Sequence, residues 1–209
     1  MELTVEQIKK LAKRYPYLRP TSIWTGMPIE NWDYTYINGV GDLPKGWERL
    51  FLLFCKNIRP ELEKFNYVNK FSFSQIKEKY GTMRLYNNGY PKDSRINEFD
   101  CIYEHLSIYI CEYCGKPSKY ETPGWVTELC ESCYKENYLS IYTENPDNYK
   151  IKRKDFKVRI RGWDNGKEYS KVYDCKPYWE EYLKTRKMND EEFISYILGD
   201  EEIEEEHGY

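Results

Sequence analysis

The sequence has little of what membrane proteins, secreted proteins and many enzymes need. It has no apolar run of the roughly 18 residues that a membrane-spanning helix requires. Its first twenty residues, MELTVEQIKKLAKRYPYLRP, interrupt apolar positions with charges, unlike a secretory signal peptide. It has two histidines, His105 and His207, although histidine is the side chain most often used in acid–base catalysis. We therefore expect a cytoplasmic protein without a membrane segment, and we do not expect an enzyme.

Alanine is almost missing as well, whereas tyrosine is abundant. Ala12 is the single alanine, there are 22 tyrosines, and lysine outnumbers arginine 22 to 10. This bias is typical of an AT-rich genome, which accounts for most of the tyrosines. Tyrosine is also favoured in binding interfaces, because it has a rigid apolar ring with a polar tip. The net charge of −3 gives no general attraction to nucleic acid.

Four of the seven cysteines have the spacing of a metal site. Cys111 and Cys114 form one C-x2-C pair, and Cys130 and Cys133 form a second pair after fifteen intervening residues. Because cytosolic thiols stay reduced, one zinc ion is favoured over two disulfides. Four thiolates fill the coordination sphere of zinc, so the ion is expected to be structural.

The residues around these pairs predict the shape of the zinc module. Gly115 follows the first pair in a tight turn, and Pro123-Gly124 makes a hairpin turn between the pairs. The second pair opens a helix, because Tyr134, Tyr138 and Ile141 recur at helical spacing. Two turns, a hairpin and a helix are typical of a treble-clef or ribbon-type zinc module.

The rest of the chain predicts an α+β fold of helices and β-hairpins around that module. Thr4 and Gln7 form the capping box of a first helix. A short strand is predicted over residues 32–37, and a second helix is predicted from Trp47 to a point before Pro60.

Further along, a hairpin and a third helix are predicted. The hairpin turns near Tyr80-Gly81, and the third helix is capped by Ser94 and carries apolar residues as far as Tyr109. On the second helix, Cys55 lies on the apolar stripe as a core thiol. The sequence predicts no role for Cys101 or Cys175.

Several stretches resemble one family of uncharacterised phage and prophage proteins. They are GWERLFLLFCKNI, QIKEKYGTMRLY, a helix with Glu104 and Ser107, CEYCGKP, and GWVTELCESC. Members share a Q-[IV]-K-E-K-[FY]-G-x-[LM]-R-x-Y stretch followed by a helix and a C-x-x-C-G zinc module, and the resemblance covers about residues 46–134. Many of them end the module with a cysteine and a histidine where this chain has Cys130 and Cys133.

The resemblance implies a phage setting, and no established activity comes with it. We therefore expect an accessory protein that binds a host or phage protein in the host cytoplasm. In that setting the partner is a candidate component of host defence, which the protein would inhibit.

Two groups of basic residues are candidate binding surfaces. Lys77, Lys79 and Arg84 flank the predicted Tyr80-Gly81 turn and are able to meet phosphate or carboxylate groups. The alternative is that the two lysines belong to an ordinary solvated turn and that Arg84 pairs with Glu104.

The second group follows a linker, TENPDNY. Phe156, Val158 and Ile160 alternate with the basic residues of a strand, so a hairpin over residues 150–172 is predicted with one apolar and one basic face. The basic residues are Lys157, Arg159 and Arg161. This face is a candidate for nucleic-acid binding, the alternative function. It is otherwise the solvated side of a sheet, or a dock for the acidic tail.

Charge divides the C-terminal part of the chain. Residues 151–187 contain 12 basic and 6 acidic residues, whereas nine acidic and no basic residues follow from Met188. We predict a domain over residues 1–142 that includes the zinc module, a second unit over 143–198, and a disordered acidic tail over 199–209.

Overall fold

The computed structural model describes residues 1–22, 24–25, 27–138, 146–150, 155–164 and 167–199. Within these ranges the chain forms six α-helices and three two-stranded antiparallel sheets. The predicted mixture of helices and hairpins is therefore confirmed. Among the described helices, none combines the length and the apolar character that crossing a membrane requires.

The elements follow one another in a simple order. The helices are α1 (Val5–Arg14), α2 (Glu48–Lys64), α3 (Ile96–Ser107), α4 (Glu131–Asn137), α5 (Lys176–Thr185) and α6 (Asp190–Leu198). The strands are β1 (Phe73–Lys79), β2 (Thr82–Asn87), β3 (Tyr120–Glu121), β4 (Glu128–Leu129), β5 (Lys157–Asp164) and β6 (Lys167–Asp174). Each sheet pairs two strands that are consecutive in the sequence.

Helix α1 begins as its sequence predicts. The side chain of Thr4 accepts a hydrogen bond from the backbone of Gln7, and the Gln7 side chain accepts one from the backbone of Thr4. This reciprocal pair satisfies backbone N–H groups that have no partner inside the helix. Ile8 and Leu11 are buried on the inner side of α1.

Helix α2 lies in the centre of the hydrophobic core and is longer than predicted. It continues through Pro60 to Lys64, so the predicted end before Pro60 is wrong. Leu62 is fully buried, as is Ile58 one turn earlier. Burying a leucine side chain stabilises by about 1.5–3 kcal/mol, which is comparable with the cost of about 3 kcal/mol for a proline inside a helix.

The hairpin of β1 and β2 turns at Tyr80 and Gly81, as predicted. Both residues have positive φ angles, 54° and 69°, as a two-residue turn that matches the twist of the strands requires. Met83 and Leu85 of β2 are buried in the core.

Two local predictions in this half of the chain are wrong. Ser94 does not cap α3, because its hydroxyl donates to the carbonyl of Pro91, and the N-cap residue is Arg95. Residues 32–37 form irregular backbone with a bend at residues 34–35 rather than a strand. There Tyr34 has a φ of 61°, and the Trp32 indole donates to the carbonyl of Tyr36. Both features fold the backbone back on itself.

The C-terminal hairpin and helices pack on the same core as the first half. The hydroxyl of Tyr15 in the turn after α1 donates to the carbonyl of Ile197 in α6. Tyr182 of α5 and Phe193 of α6 are buried in the cluster that contains α2. The predicted boundary at residue 142 falls outside the described residues, as do Ile141 and residues 200–209, so the domain division and the disordered tail stay predictions.

Candidate metal centre

The first cysteine pair lies in a tight turn that follows α3. The backbone N–H of Cys111 donates to the carbonyl of Lys116, and the N–H of Gly115 donates to the carbonyl of Cys111, at 2.8 and 2.9 Å. Gly115 has a φ of 69°, a conformation that glycine adopts without steric cost. The turn brings Cys114 to the protein surface while Cys111 stays buried.

The second cysteine pair lies at the start of α4. Cys130 is the N-cap residue and Cys133 is in the first turn of the helix. Strands β3 and β4 pair Tyr120 with Leu129, the residue before Cys130. The predicted hairpin between the pairs and the helix opened by the second pair are both present.

The structure brings the four predicted cysteines together. The Sγ atoms of Cys111, Cys114, Cys130 and Cys133 all lie within 4.8 Å of one another. The sulfurs of a tetrahedral zinc site are about 3.8 Å apart when each Zn–S bond is about 2.3 Å. The 3.6 Å between Cys114 Sγ and Cys130 Sγ is close to that value. It is too long for a disulfide bond of about 2.05 Å, and all seven cysteines are free.

Without a cation, burial opposes the ionisation of the thiols in the cluster. Burial raises the pKa of the Cys111 thiol to about 11, and it also raises that of Cys133. Burial opposes ionisation of Cys130 too, but hydrogen bonds from the Ser132 hydroxyl and from neighbouring groups lower its pKa to about 6. Four thiolates in such a small volume need a compensating positive charge, which a divalent ion would supply.

A small hydrophobic cluster surrounds the cysteines. Tyr134 of α4 stacks on Tyr120 with ring centroids 4.4 Å apart, and on Tyr138 at 5.1 Å. Tyr120, Tyr134 and Leu129 are buried together with three of the cysteines. The cysteine cluster therefore ties a two-stranded hairpin, a short helix and a turn into one packed unit.

This unit is joined to the main core by hydrogen bonds around the first turn. The backbone N–H of Gly46 donates to the carbonyl of Glu112 at 2.7 Å. The Trp47 indole donates to the carbonyl of Ile110 at 3.0 Å. The hydroxyl of Tyr182 in α5 donates to the carbonyl of Gly115 at 2.7 Å. The turn that carries Cys111 and Cys114 thus lies between the start of α2 and helix α5.

A pair of buried glutamates lies beside the cluster. Glu112 and Glu128 are both almost fully buried, and the backbone N–H of Glu128 donates to the Glu112 carboxylate at 2.8 Å. Burial raises the pKa of Glu112 to about 7, and the nearby Glu78 adds to the shift. Sequence reasoning missed this pair, because each residue looks like a surface glutamate next to a cysteine or a strand.

The three residues of the first basic group, Lys77, Lys79 and Arg84, have different surroundings in the structure. Arg84 forms an ion pair with Glu104 of α3 at 2.6 Å, which confirms the alternative reading of that residue. Lys77 and Lys79 form no ion pair within the described part of the chain. They lie instead next to tyrosine rings on the β1–β2 hairpin.

The second basic group lies on β5. Lys157, Arg159 and Arg161 are exposed, whereas Ile160 between them is buried. The predicted division into a basic and an apolar face is therefore present. The turn at residues 165–166 lies outside the described residues.

His105 is an ordinary member of α3. Its ring nitrogen lies 3.2 Å from the carbonyl of Asp155, and its ring meets that of Tyr109 edge-on. The cysteine cluster itself contains no histidine.

Comparison with known proteins does not identify a family for this chain. No protein-family model, curated protein or solved structure matches this chain. The resemblance to phage and prophage proteins therefore stays a prediction.

Proposed function

We propose that the four cysteines hold one structural zinc ion in a treble-clef or ribbon-type module. The donor chemistry supports this, because four thiolates are the ligand set of structural zinc and leave no position for water or substrate. The packing supports it too, since three of the four cysteines are buried. The ion would fix the hairpin and α4 against the turn after α3.

We further propose that the protein acts by binding rather than by catalysis, and that its partner is a host or phage protein. In the phage setting that the sequence resemblance implies, the partner is a component of host defence in the host cytoplasm. One observation carries the protein-binding proposal: the Trp24 side chain is 90 % exposed, beside an exposed Met27. Tryptophan is one of the residues enriched among those that contribute most of the binding energy of protein interfaces.

Capture from infected-cell lysate tests this proposal. The zinc-loaded full chain is used as bait, with and without nuclease, and captured proteins are identified and purified. A purified partner should bind the wild type directly and bind the Trp24→Ala variant at least tenfold more weakly. Val5→Ala, which shortens another exposed apolar side chain, serves as the matched control. If nuclease removes every captured protein, the protein-binding proposal fails.

A second candidate function is nucleic-acid binding by the β5–β6 hairpin. The outward position of Lys157, Arg159 and Arg161 favours it, because cations on one face supply phosphate contacts. The Arg159→Glu, Arg161→Glu double variant should then lose binding to duplex DNA while it still folds. Unchanged binding in the double variant would instead assign the hairpin to the solvated side of the fold.

A further inference from the structure

The β1–β2 hairpin presents lysines and tyrosines on its outer face. Lys77 pairs with Arg84 in the strand register, and Gln75 pairs with Tyr86. Because side chains alternate along a strand, these residues share a face with Lys79. The opposite face packs on the core. The hairpin therefore packs on the core with one side. On its outer side Arg84 contacts α3 through the ion pair with Glu104, while Gln75, Lys79 and Tyr86 are exposed.

Each lysine lies next to an aromatic ring on this face. The Nζ atom of Lys77 is 5.1 Å from the ring centroid of Tyr86, and that of Lys79 is 5.3 Å from the ring of Tyr80. Tyr80 is 74 % exposed at the turn. The Lys77 ammonium also donates to the Gln75 side-chain carbonyl at 2.7 Å. Neither lysine has an acidic partner among the described residues, so each has N–H groups left for an anion.

A third ring comes from the metal module. A Cβ built on Gly81 would lie 2.5 Å from Cγ1 of Val126, so the hairpin turn touches the loop between β3 and β4. Trp125, the residue before Val126, is 80 % exposed. The Thr122 hydroxyl donates to the carbonyl of Trp125 at 2.6 Å, which fixes the backbone of that loop.

We use the name aromatic–lysine face for Lys77, Lys79, Tyr80 and Tyr86 of the β1–β2 hairpin together with Trp125, which lies on the loop that the hairpin turn touches. Tyr80 and Trp125 lie on a hairpin turn and a loop, whereas small-molecule sites are concave. Protein interfaces are enriched in tyrosine and tryptophan but depleted in lysine. Exposed rings on elements that carry cations without an acidic partner match the stacking platforms that bind single-stranded nucleic acid, where the bases stack and the cations contact phosphates. A duplex hides the faces of its bases, so unpaired bases fit better.

We propose that the aromatic–lysine face binds single-stranded nucleic acid without sequence specificity. Bases stack on Tyr80 and Trp125, and Lys77 and Lys79 contact the phosphates between them. This activity goes beyond the binding of a protein partner and does not depend on it. It also uses residues different from those of the basic β5–β6 hairpin.

The test uses the zinc-loaded full chain and oligothymidylate of about 12 nucleotides, within the usual site sizes of such proteins. Binding is followed by the quenching of tryptophan fluorescence and by the anisotropy of a labelled oligonucleotide. The wild type should bind single strands at least tenfold more tightly than a duplex of the same length. Trp125→Leu and Tyr80→Leu should each weaken binding about tenfold, because each removes one stacking ring.

Three controls separate stacking from other causes. Trp125→Phe should retain most of the affinity because it keeps an aromatic ring, whereas a merely apolar contact would survive in Trp125→Leu as well. Trp24→Ala should not change binding to the oligonucleotide. The Lys77→Ala, Lys79→Ala double variant should reduce the slope of log affinity against log salt concentration by about 1.4, at about 0.7 per phosphate contact of a single strand.

Some outcomes overturn the proposal. They are the absence of binding at low salt, equal affinity for duplex and single strand, or a loss in Trp24→Ala as large as in Trp125→Leu. A loss caused only by Arg159→Glu with Arg161→Glu would also overturn it and assign binding to the other hairpin. Because partner capture is measured after nuclease treatment, either proposal can fail without the other.

Discussion

Gly81 and Val126 are in such close contact that no side chain fits between them. They belong to two different hairpins, the β1–β2 hairpin and the one between the cysteine pairs, and a Cβ on Gly81 would lie 2.5 Å from Val126 Cγ1. Contacts of that length between non-bonded carbon atoms do not occur in folded proteins, so an alanine at Gly81 requires the Val126 side chain or one of the two hairpins to shift.

The Gly81→Ala substitution should therefore destabilise the protein by more than backbone strain alone. Gly89→Ala is the matched control, because Gly89 also has a positive φ but has open space around it. The control should cost about 1–2 kcal/mol of unfolding free energy from strain, and Gly81→Ala should cost about 2 kcal/mol more. Urea unfolding measures both values.

The double variant Gly81→Ala, Val126→Ala tests the origin of that extra cost. Removing the Val126 methyl groups makes room for the new Cβ, so the double variant should be more stable than the sum of the single changes predicts. Strict additivity of the two changes would contradict the close approach of the hairpins.

Zinc should be present at one ion per chain. Cys114→Ser should abolish zinc binding and lower the melting temperature by about 10 °C or more, since 1 kcal/mol corresponds to about 2–4 °C in a chain of this size. Cys101→Ser, which changes a half-buried cysteine of α3 outside the cluster, should keep both zinc and stability to within a few degrees. Elemental analysis and thermal melts measure these effects. The zinc site would be excluded if the wild type contained no zinc, had four free thiols in the cluster and melted at the same temperature as Cys114→Ser.

The pH dependence of stability should include a contribution from Asp100. Burial and the nearby Glu104 raise the pKa of Asp100 to about 7, while Arg84 opposes the shift. An aspartate in an unfolded chain has a pKa near 3.9. The folded state therefore holds a proton that the unfolded state has released between these values, so stability is lost as the pH rises towards 7.

Asp100→Asn should remove that loss. Relative to the wild type, the variant should gain unfolding free energy as the pH rises from about 4 to about 7, by up to about 4 kcal/mol if the whole shift is relieved. The comparison between variant and wild type cancels the effect of pH on the cysteines. Asp93→Asn, at an exposed position nearby, is the control and should follow the wild-type curve. Parallel curves for Asp100→Asn and the wild type would show that Asp100 is ionised throughout.

His105 should make no catalytic contribution. His105→Ala removes one hydrogen-bonding group near the carbonyl of Asp155 and should cost about 1 kcal/mol of stability. Zinc content and partner capture should stay within a few-fold of the wild type. A loss of about 100-fold in a folded variant, the scale of general acid–base catalysis, would point to an active site at the end of α3.

Features specified by neighbouring residues could be predicted from the sequence. The capping box of Thr4, the turn at Tyr80-Gly81 and the helix after Cys130 each depend on residues a few positions apart. The four cysteines were predicted to lie together for the same reason, since two short spacings fix most of the arrangement. Local chemistry is sufficient for such elements.

Features that depend on distant residues could not be predicted. Helix α2 passes Pro60 because the core accepts Leu62, and no local rule contains that information. The contact between Gly81 and Val126 and the bond from Tyr182 to Gly115 join segments whose sequences carry no sign of each other. The aromatic–lysine face was missed because the turn that carries Tyr80 and the loop that carries Trp125 meet only through the contact between Gly81 and Val126.

The hydrogen bond from Tyr182 to Gly115 also has a consequence for protein synthesis. Its two residues are 67 positions apart, and all four clustered cysteines precede α5 in the chain. They therefore leave the ribosome before α5 does, and the N-terminal part of a chain generally folds first during synthesis. We expect the cysteine turn to close around its ion while α5 is still being made, and α5 then to dock on a finished surface. Metal supply at the ribosome would thus set how soon the newly made C-terminal helices are protected from proteolysis.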